Sequence, residues 1–120
     1  MSGARFKDLI AYQKAYSLVK KIYTLSKEFP REEIYGVVSQ IRRAAVSIPS
    51  SMAEGYMQGT KEYVRLLKIA LGSSAEVETR LSLNKDLGFS EARDIDRIFE
   101  TNTEVSKLLV TYINRLTNKT

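Results

Sequence analysis

Residues 40–56, reading QIRRAAVSIPSSMAEGY, constrain this chain more than any other stretch. The segment opens with two adjacent arginines and then runs from 44 to 53 without a charge. A helix lying on a protein surface shows polar residues at every turn, so a charge-free run of that length points inward. Small residues fill it (Ala44, Ala45, Ser47, Ser50, Ser51, Ala53), which lets another backbone approach closely. The segment is therefore expected to be the most enclosed helix of a bundle. Arg42, Arg43 and Glu54 are its only charged contacts.

The remaining helices follow from apolar spacing. Over 8–28, Leu9, Tyr12, Tyr16, Val19 and Tyr23 alternate three- and four-residue steps and form one seam, broadened by Leu18, Ile22 and Leu25. Three tyrosines on one stripe could stack on bases. Core tyrosines with hydroxyls at the rim are commoner, and the seam is read as core. Asp8 is the expected N-cap. Phe29-Pro30 ends this helix, because the residue before proline is pushed out of the α region. Pro30 then opens a second helix over 31–56, with Glu32 and Glu33 in its first turn and Ile34, Val37, Val38, Ile41, Ala45 and Ile48 inward. Pro49 removes one hydrogen bond and crowds the Ala45 carbonyl, so a kink is expected there, the alternative being a break into two helices.

Gly55 and Gly59 can end the second helix, and Thr60 can cap a third over 61–87. That helix turns Tyr63, Leu66, Leu67, Ala70, Leu71, Ser74, Val77 and Leu81 inward. Its small patch, 72–75, is a seat for the small patch of the second helix. Gly88 ends it and Ser90 caps a fourth helix over 91–117, with Ile95, Ile98, Phe99, Val105, Leu109, Tyr112, Ile113 and Leu116 inward. Asn102 interrupts that face, and 117–120 should fray. Short connectors make the four helices an antiparallel up-down-up-down bundle. Nothing in the composition argues for a second domain.

Function classes narrow by what is missing. The 120 residues hold no histidine and no cysteine, which removes the commonest general base, the commonest transition-metal ligand and all thiolate chemistry. No run of 18 apolar residues could span a bilayer, and the N-terminal stretch lacks an apolar signal core, so a cytoplasmic protein is expected. The net charge of +5 suits a nucleic-acid or other anionic partner, and equally ordinary solubility.

A family resemblance rests on particular residues: Phe6-Lys7-Asp8-Leu9, Phe29-Pro30, Glu33-Ile34-Tyr35-Gly36, the run from Gln40 through Ser50, Ala53-Glu54-Gly55, and Gly72-Ser73 with Glu76. Over about 6–88 the chain resembles the four helix bundle family. That family includes the intervening-sequence proteins encoded within bacterial large-subunit rRNA genes. The accessory variability determinant of diversity-generating retroelements is a more distant relative. One departure is Ser51, where the family usually has asparagine. The resemblance implies a homopentamer around a central channel with a basic surface suited to RNA or DNA; RNA, DNA or a nucleic-acid enzyme is then the candidate partner.

Three constellations carry the functional expectations. Arg42 and Arg43 are about 100° apart on a helix and cannot face one partner. One is expected to pair with Glu54, Glu76 or Glu78, inside the bundle or across a subunit contact; the pair is read as structural, the alternative being that the other arginine faces phosphate. Glu54, Glu76 and Glu78 are read as ion-pair residues rather than metal ligands, because di-iron bundle sites need Glu-x-x-His pairs. Lys14, Lys20, Lys21 and Lys27, with the stripe Lys61, Arg65 and Lys68, are the candidate nucleic-acid face, weighed against a merely solvated surface. No catalytic residue, metal or cofactor is assigned. The expected function is a non-enzymatic, oligomeric nucleic-acid-binding or accessory protein; the alternative is a protein-interaction scaffold.

Overall fold

The computed structural model describes residues 5–118. Four long helices account for most of them: α1 (Ile10–Ser26), α2 (Ser39–Tyr56), α3 (Thr60–Asp86) and α4 (Ala92–Thr117). No strand occurs among the described residues. The helices form an antiparallel four-helix bundle, 47 × 22 × 21 Å. The 27 residues of α3, at about 1.5 Å each, span most of the long axis. Each helix packs on two others: α2 against α3, α3 against α4, and α1 against α2 and α4. Thus α1 and α3 stand diagonally across the bundle. That placement decides which charges can act together.

In α1 the core stripe is Ala11, Ala15, Leu18, Ile22 and Leu25; Leu18, Ile22 and Leu25 are inward as expected, but they stand with two alanines rather than with the tyrosine seam. Tyr16 is 53% and Tyr23 38% exposed, while Tyr12 and Val19 are half-buried. The two stripes lie one residue apart, about 100° around the helix. Alanines inward let α1 sit close to its neighbours, and the tyrosine hydroxyls keep their water.

The entry to α2 also differs from the expected continuous helix. Residues Arg31–Glu33 form a 3-10 turn and Ile34–Val38 a π turn, with the Ser39 N–H donating to the Ile34 carbonyl five residues back. A π turn holds one more residue per hydrogen-bonded ring than an α turn. The positions before it are therefore rotated relative to those after. Val38, Ile41, Ala45 and Ile48 are buried as expected, whereas Ile34 is 47% exposed. From Ser39 onward α2 is uninterrupted through the buried Pro49.

The α2–α3 register is antiparallel: Gly55 faces Leu66, Ser47 Oγ lies 2.8 Å from Ser73 Oγ, and Gln40 meets Arg80. The close approach falls at Gly55, where a Cβ would stand 2.9 Å from Leu66 Cβ and 3.0 Å from Tyr63 Cδ1. Gly72 faces open space instead, so only Ser73 and Ser74 of the expected small patch turn toward neighbours. Between α3 and α4, Ser74 Oγ donates to Asn102 Oδ1 (2.8 Å) and Asn102 Nδ2 returns a bond to the Ser74 carbonyl (3.0 Å). The polar interruption of α4 is thus a buried two-way clasp.

The caps are corrected as well. Leu9, Gly59 and Glu91 occupy the N-cap positions, not Asp8, Thr60 and Ser90; Asp8 instead accepts the Arg5 N–H. Gly88, at φ 73°, does end α3. Its N–H donates to the Lys85 carbonyl and that of Phe89 to Asn84, a Schellman closure that seats Phe89 against Phe29 at 5.6 Å. The expected fraying at 117–120 falls partly outside the described residues; Thr117 is the last residue of α4.

Candidate nucleic-acid interface

Helix α1 contains Lys14, Lys20 and Lys21 and no carboxylate between 10 and 26. Its outward tyrosines are held in place by cations. Lys20 Nζ lies 5.4 Å from the Tyr16 ring centroid, and the Arg42 guanidinium sits over the Tyr23 ring at 4.4 Å. Arg42 Nε donates to Ser26 Oγ (2.8 Å) and Nη2 to the Tyr23 carbonyl (3.4 Å). Ser26 Oγ donates to the same carbonyl. These groups close the last turn of α1, where a positive charge is favoured by the helix dipole. Arg42 therefore caps α1 and takes none of Glu54, Glu76 or Glu78. Its neighbour Arg43 points to solvent without an ion pair among the described residues.

The π turn sets Tyr35 beside this pair, 95% exposed. Three adjoining clefts run along the α1–α2 face. The first, about 400 Å³, includes Lys7, Tyr16, Lys20 and Val46. The second, about 470 Å³, shares Val46 and adds Tyr23, Tyr35 and Arg43. The third, about 300 Å³, includes Lys27, Arg31 and Arg42. Six basic residues line these clefts and no aspartate or glutamate does.

The rest of the surface is charge-balanced. Among the described residues, every ion pair has its carboxylate on α3 or α4 or on Glu91 just before α4: Lys14–Glu104, Arg65–Glu62, Arg80–Glu76, Lys85–Asp96 and Arg93–Glu91. The fork of Arg65 reaches both oxygens of Glu62 (2.9 and 2.6 Å) and holds that carboxyl below its ordinary range. Hydrogen bonding from Lys14 does the same to Glu104. Lys21 Nζ donates to Thr101 Oγ1 at 3.0 Å. Lys61 and Lys68 are exposed beside the Arg65–Glu62 pair. Because α1 and α3 are diagonal, the two expected sets of cations do not share a face. Of the α1 lysines, Lys14 and Lys21 turn toward α4, and Lys20 lies toward the tyrosines.

Glu54, Glu76 and Glu78 do not gather. Glu54 lies within electrostatic reach of Arg65, near the start of α3, whereas Glu76 pairs with Arg80 farther along and Glu78 is exposed. Among the described residues no group of three aspartate, glutamate, histidine or cysteine side chains is placed to hold a metal ion. No helix there is long and apolar enough to cross a membrane.

The match to known proteins covers this bundle almost end to end. Residues 7–111 match the family of the 23S rRNA-intervening sequence protein. The chain belongs to that family. A crystal structure of a protein of unknown function from the S23 ribosomal protein family of Bacteroides thetaiotaomicron is similar at 25% identity. It superposes with a TM-score of 0.80, covering 87% of this chain and 98% of that one. No curated protein matches.

The residues that spacing did not single out are Tyr35, Arg31 and Lys7. The doublet Glu32-Glu33 beside Arg31 suggested a helix start rather than a basic rim. The outward turn of Tyr35 depends on a π turn that apolar periodicity does not reveal.

Proposed function

We propose that this member of the intervening-sequence family is a non-enzymatic protein that binds RNA or DNA through its α1–α2 face, without base preference, alone or as the accessory of a nucleic-acid enzyme. The observation that carries the reading is the row of clefts with six cations and no carboxylate. Phosphate is the ligand such a row attracts, since each neutralised phosphate releases condensed counterions. This moves the centre of the expected site: Lys20 and Lys27 stay in it, Lys7, Arg31, Arg42 and Arg43 join, and the Lys61–Arg65–Lys68 stripe becomes secondary. The homopentamer implied by the resemblance belongs to the same proposal, with α1 and α2 on its outside. Sedimentation of the whole chain tests that assembly, and a 13.6 kDa monomer would count against it.

A scaffold reading is favoured by one observation, the exposed apolar side chains Ile34 and Val46 on the same face. A titration against structured RNA separates the two. With four phosphate contacts on a duplex stem, binding weakens about 150-fold between 50 and 200 mM salt at a slope near −0.9 per contact. Absence of binding of both structured and single-stranded RNA at 50 mM would leave the scaffold.

A further inference from the structure

We infer that the α1–α2 face takes single-stranded nucleic acid in preference to duplex, stacking bases on Tyr16, Tyr23 and Tyr35 while Lys20, Arg42 and Arg43 hold the phosphates. The inference rests on the nucleic-acid reading above and adds to it the form of the strand. A duplex offers phosphates but hides its base faces, so a face built only for duplex has no use for exposed aromatics. Proteins that bind single strands without sequence preference combine a basic groove with aromatic platforms. Here the two are interleaved.

Tyr16 and Tyr23 are seven residues apart on α1, about 10 Å along the axis, or roughly three base rises of 3.4 Å. Both rings are partly exposed, and Tyr35, 95% exposed, shares a cleft with Tyr23 and Arg43. Tyr23 is stiffened from one side by Arg42, itself pinned by Ser26 and the Tyr23 carbonyl. The guanidinium plane over the Tyr23 ring is itself a surface on which a base can stack.

A second copy of the chain is the competing occupant. Two such faces would bring like charges together, which disfavours a symmetric pairing. Against α4 the electrostatic gain is small, because its range 92–117 holds four cations and four carboxylates.

The test uses the full chain with a 15-nucleotide uridine RNA, the same DNA, and a hairpin duplex of equal phosphate number, at 50 mM salt. The protein has seven tyrosines and no tryptophan, so its intrinsic fluorescence is tyrosine emission and reports stacking without any variant. The expected results are quenching by the single strands and at least about tenfold tighter binding of them than of the hairpin. Changing Tyr16, Tyr23 and Tyr35 together to leucine should weaken single-strand binding about tenfold or more, and the triple phenylalanine variant should restore it. Equal affinity for strand and hairpin with no quenching would overturn the inference while leaving nucleic-acid binding intact. No binding of any of the three would overturn both. If the leucine variant instead breaks up an oligomer in sedimentation, the face is a subunit contact and the inference falls.

Discussion

Two sides of one bundle handle charge in opposite ways. On the α3–α4 side cations and carboxylates alternate, and the described ion pairs draw their carboxylates from there or from Glu91. The buried Ser74–Asn102 clasp ties the two helices from within. On the α1–α2 side, Lys20, Lys27, Arg31 and Arg43 have no carboxylate partner among the described residues, and Tyr16 and Tyr23 of the aromatic stripe are exposed rather than in the core. Residues 1–59 hold nine lysines and arginines against five carboxylates, while 60–120 hold ten against nine. We propose that the unbalanced face, with its exposed aromatics, is the one that takes a partner.

The contrast breaks most directly under charge reversal. Lys20→Glu with Arg43→Glu should weaken binding of a labelled RNA about 100-fold, because reversal removes two phosphate contacts and adds repulsion. Lys85→Glu with Arg93→Glu, on the balanced side, should change it less than threefold. Equal losses from both pairs would mean that net charge alone, not the face, does the binding.

The interior of the balanced side answers to a different probe. Asn102→Ala should cost about 1–3 kcal/mol in urea unfolding, since it strands the Ser74 hydroxyl in the core. The double change Ser74→Ala with Asn102→Leu should recover most of that loss. Gly55→Ala should cost about 1–3 kcal/mol through its clash with Leu66 and Tyr63, whereas Gly72→Ala, facing open space, should gain about 0.5–1 kcal/mol. A neutral Gly55→Ala would contradict the close seating of α2 on α3 at this point.

The smallest effect is a pH slope. Burial first, then the neighbouring Tyr112 and Tyr56, push the Tyr63 phenol up to about 12. An unfolded tyrosine ionises near 10, so between pH 10 and 12 the unfolded chain loses a proton that the folded chain keeps. Stability tied to Tyr63 is whole below pH 10 and falls as pH rises toward 12. Tyr63→Phe should flatten that part of the slope in thermal melts, and an unchanged slope would assign it to other groups.

Much of this architecture is readable from spacing alone. The charge-free run of α2, the glycine closing α3 and the apolar face of α4 each impose one backbone solution, and they gave the bundle and its topology. The family motifs along 6–88 point the same way. The facing of α1 was legible only at Leu18, Ile22 and Leu25, because Ala11/Ala15/Leu18/Ile22 and Tyr12/Tyr16/Val19/Tyr23 satisfy the same helical repeat one residue apart. Packing distance chooses between them, and it exists only once α2 and α4 are in place. The partner of Arg42 was hidden for a related reason. Sequence suggests carboxylates, but the end of a neighbouring helix offers carbonyls and a hydroxyl at the required distance. The π turn at Ile34–Val38 leaves no mark in apolar periodicity, so the exposure of Tyr35 had to be seen.

Photocrosslinking tests the central division of the surface most directly. A 4-thiouridine strand would be irradiated with the full chain at 50 mM salt, and the crosslinked peptides mapped by mass spectrometry. Adducts concentrated on Tyr16, Tyr23 and Tyr35 and on the peptides around Lys20 and Arg43 are the predicted result. Adducts spread evenly over α3 and α4, or none at all, would contradict it.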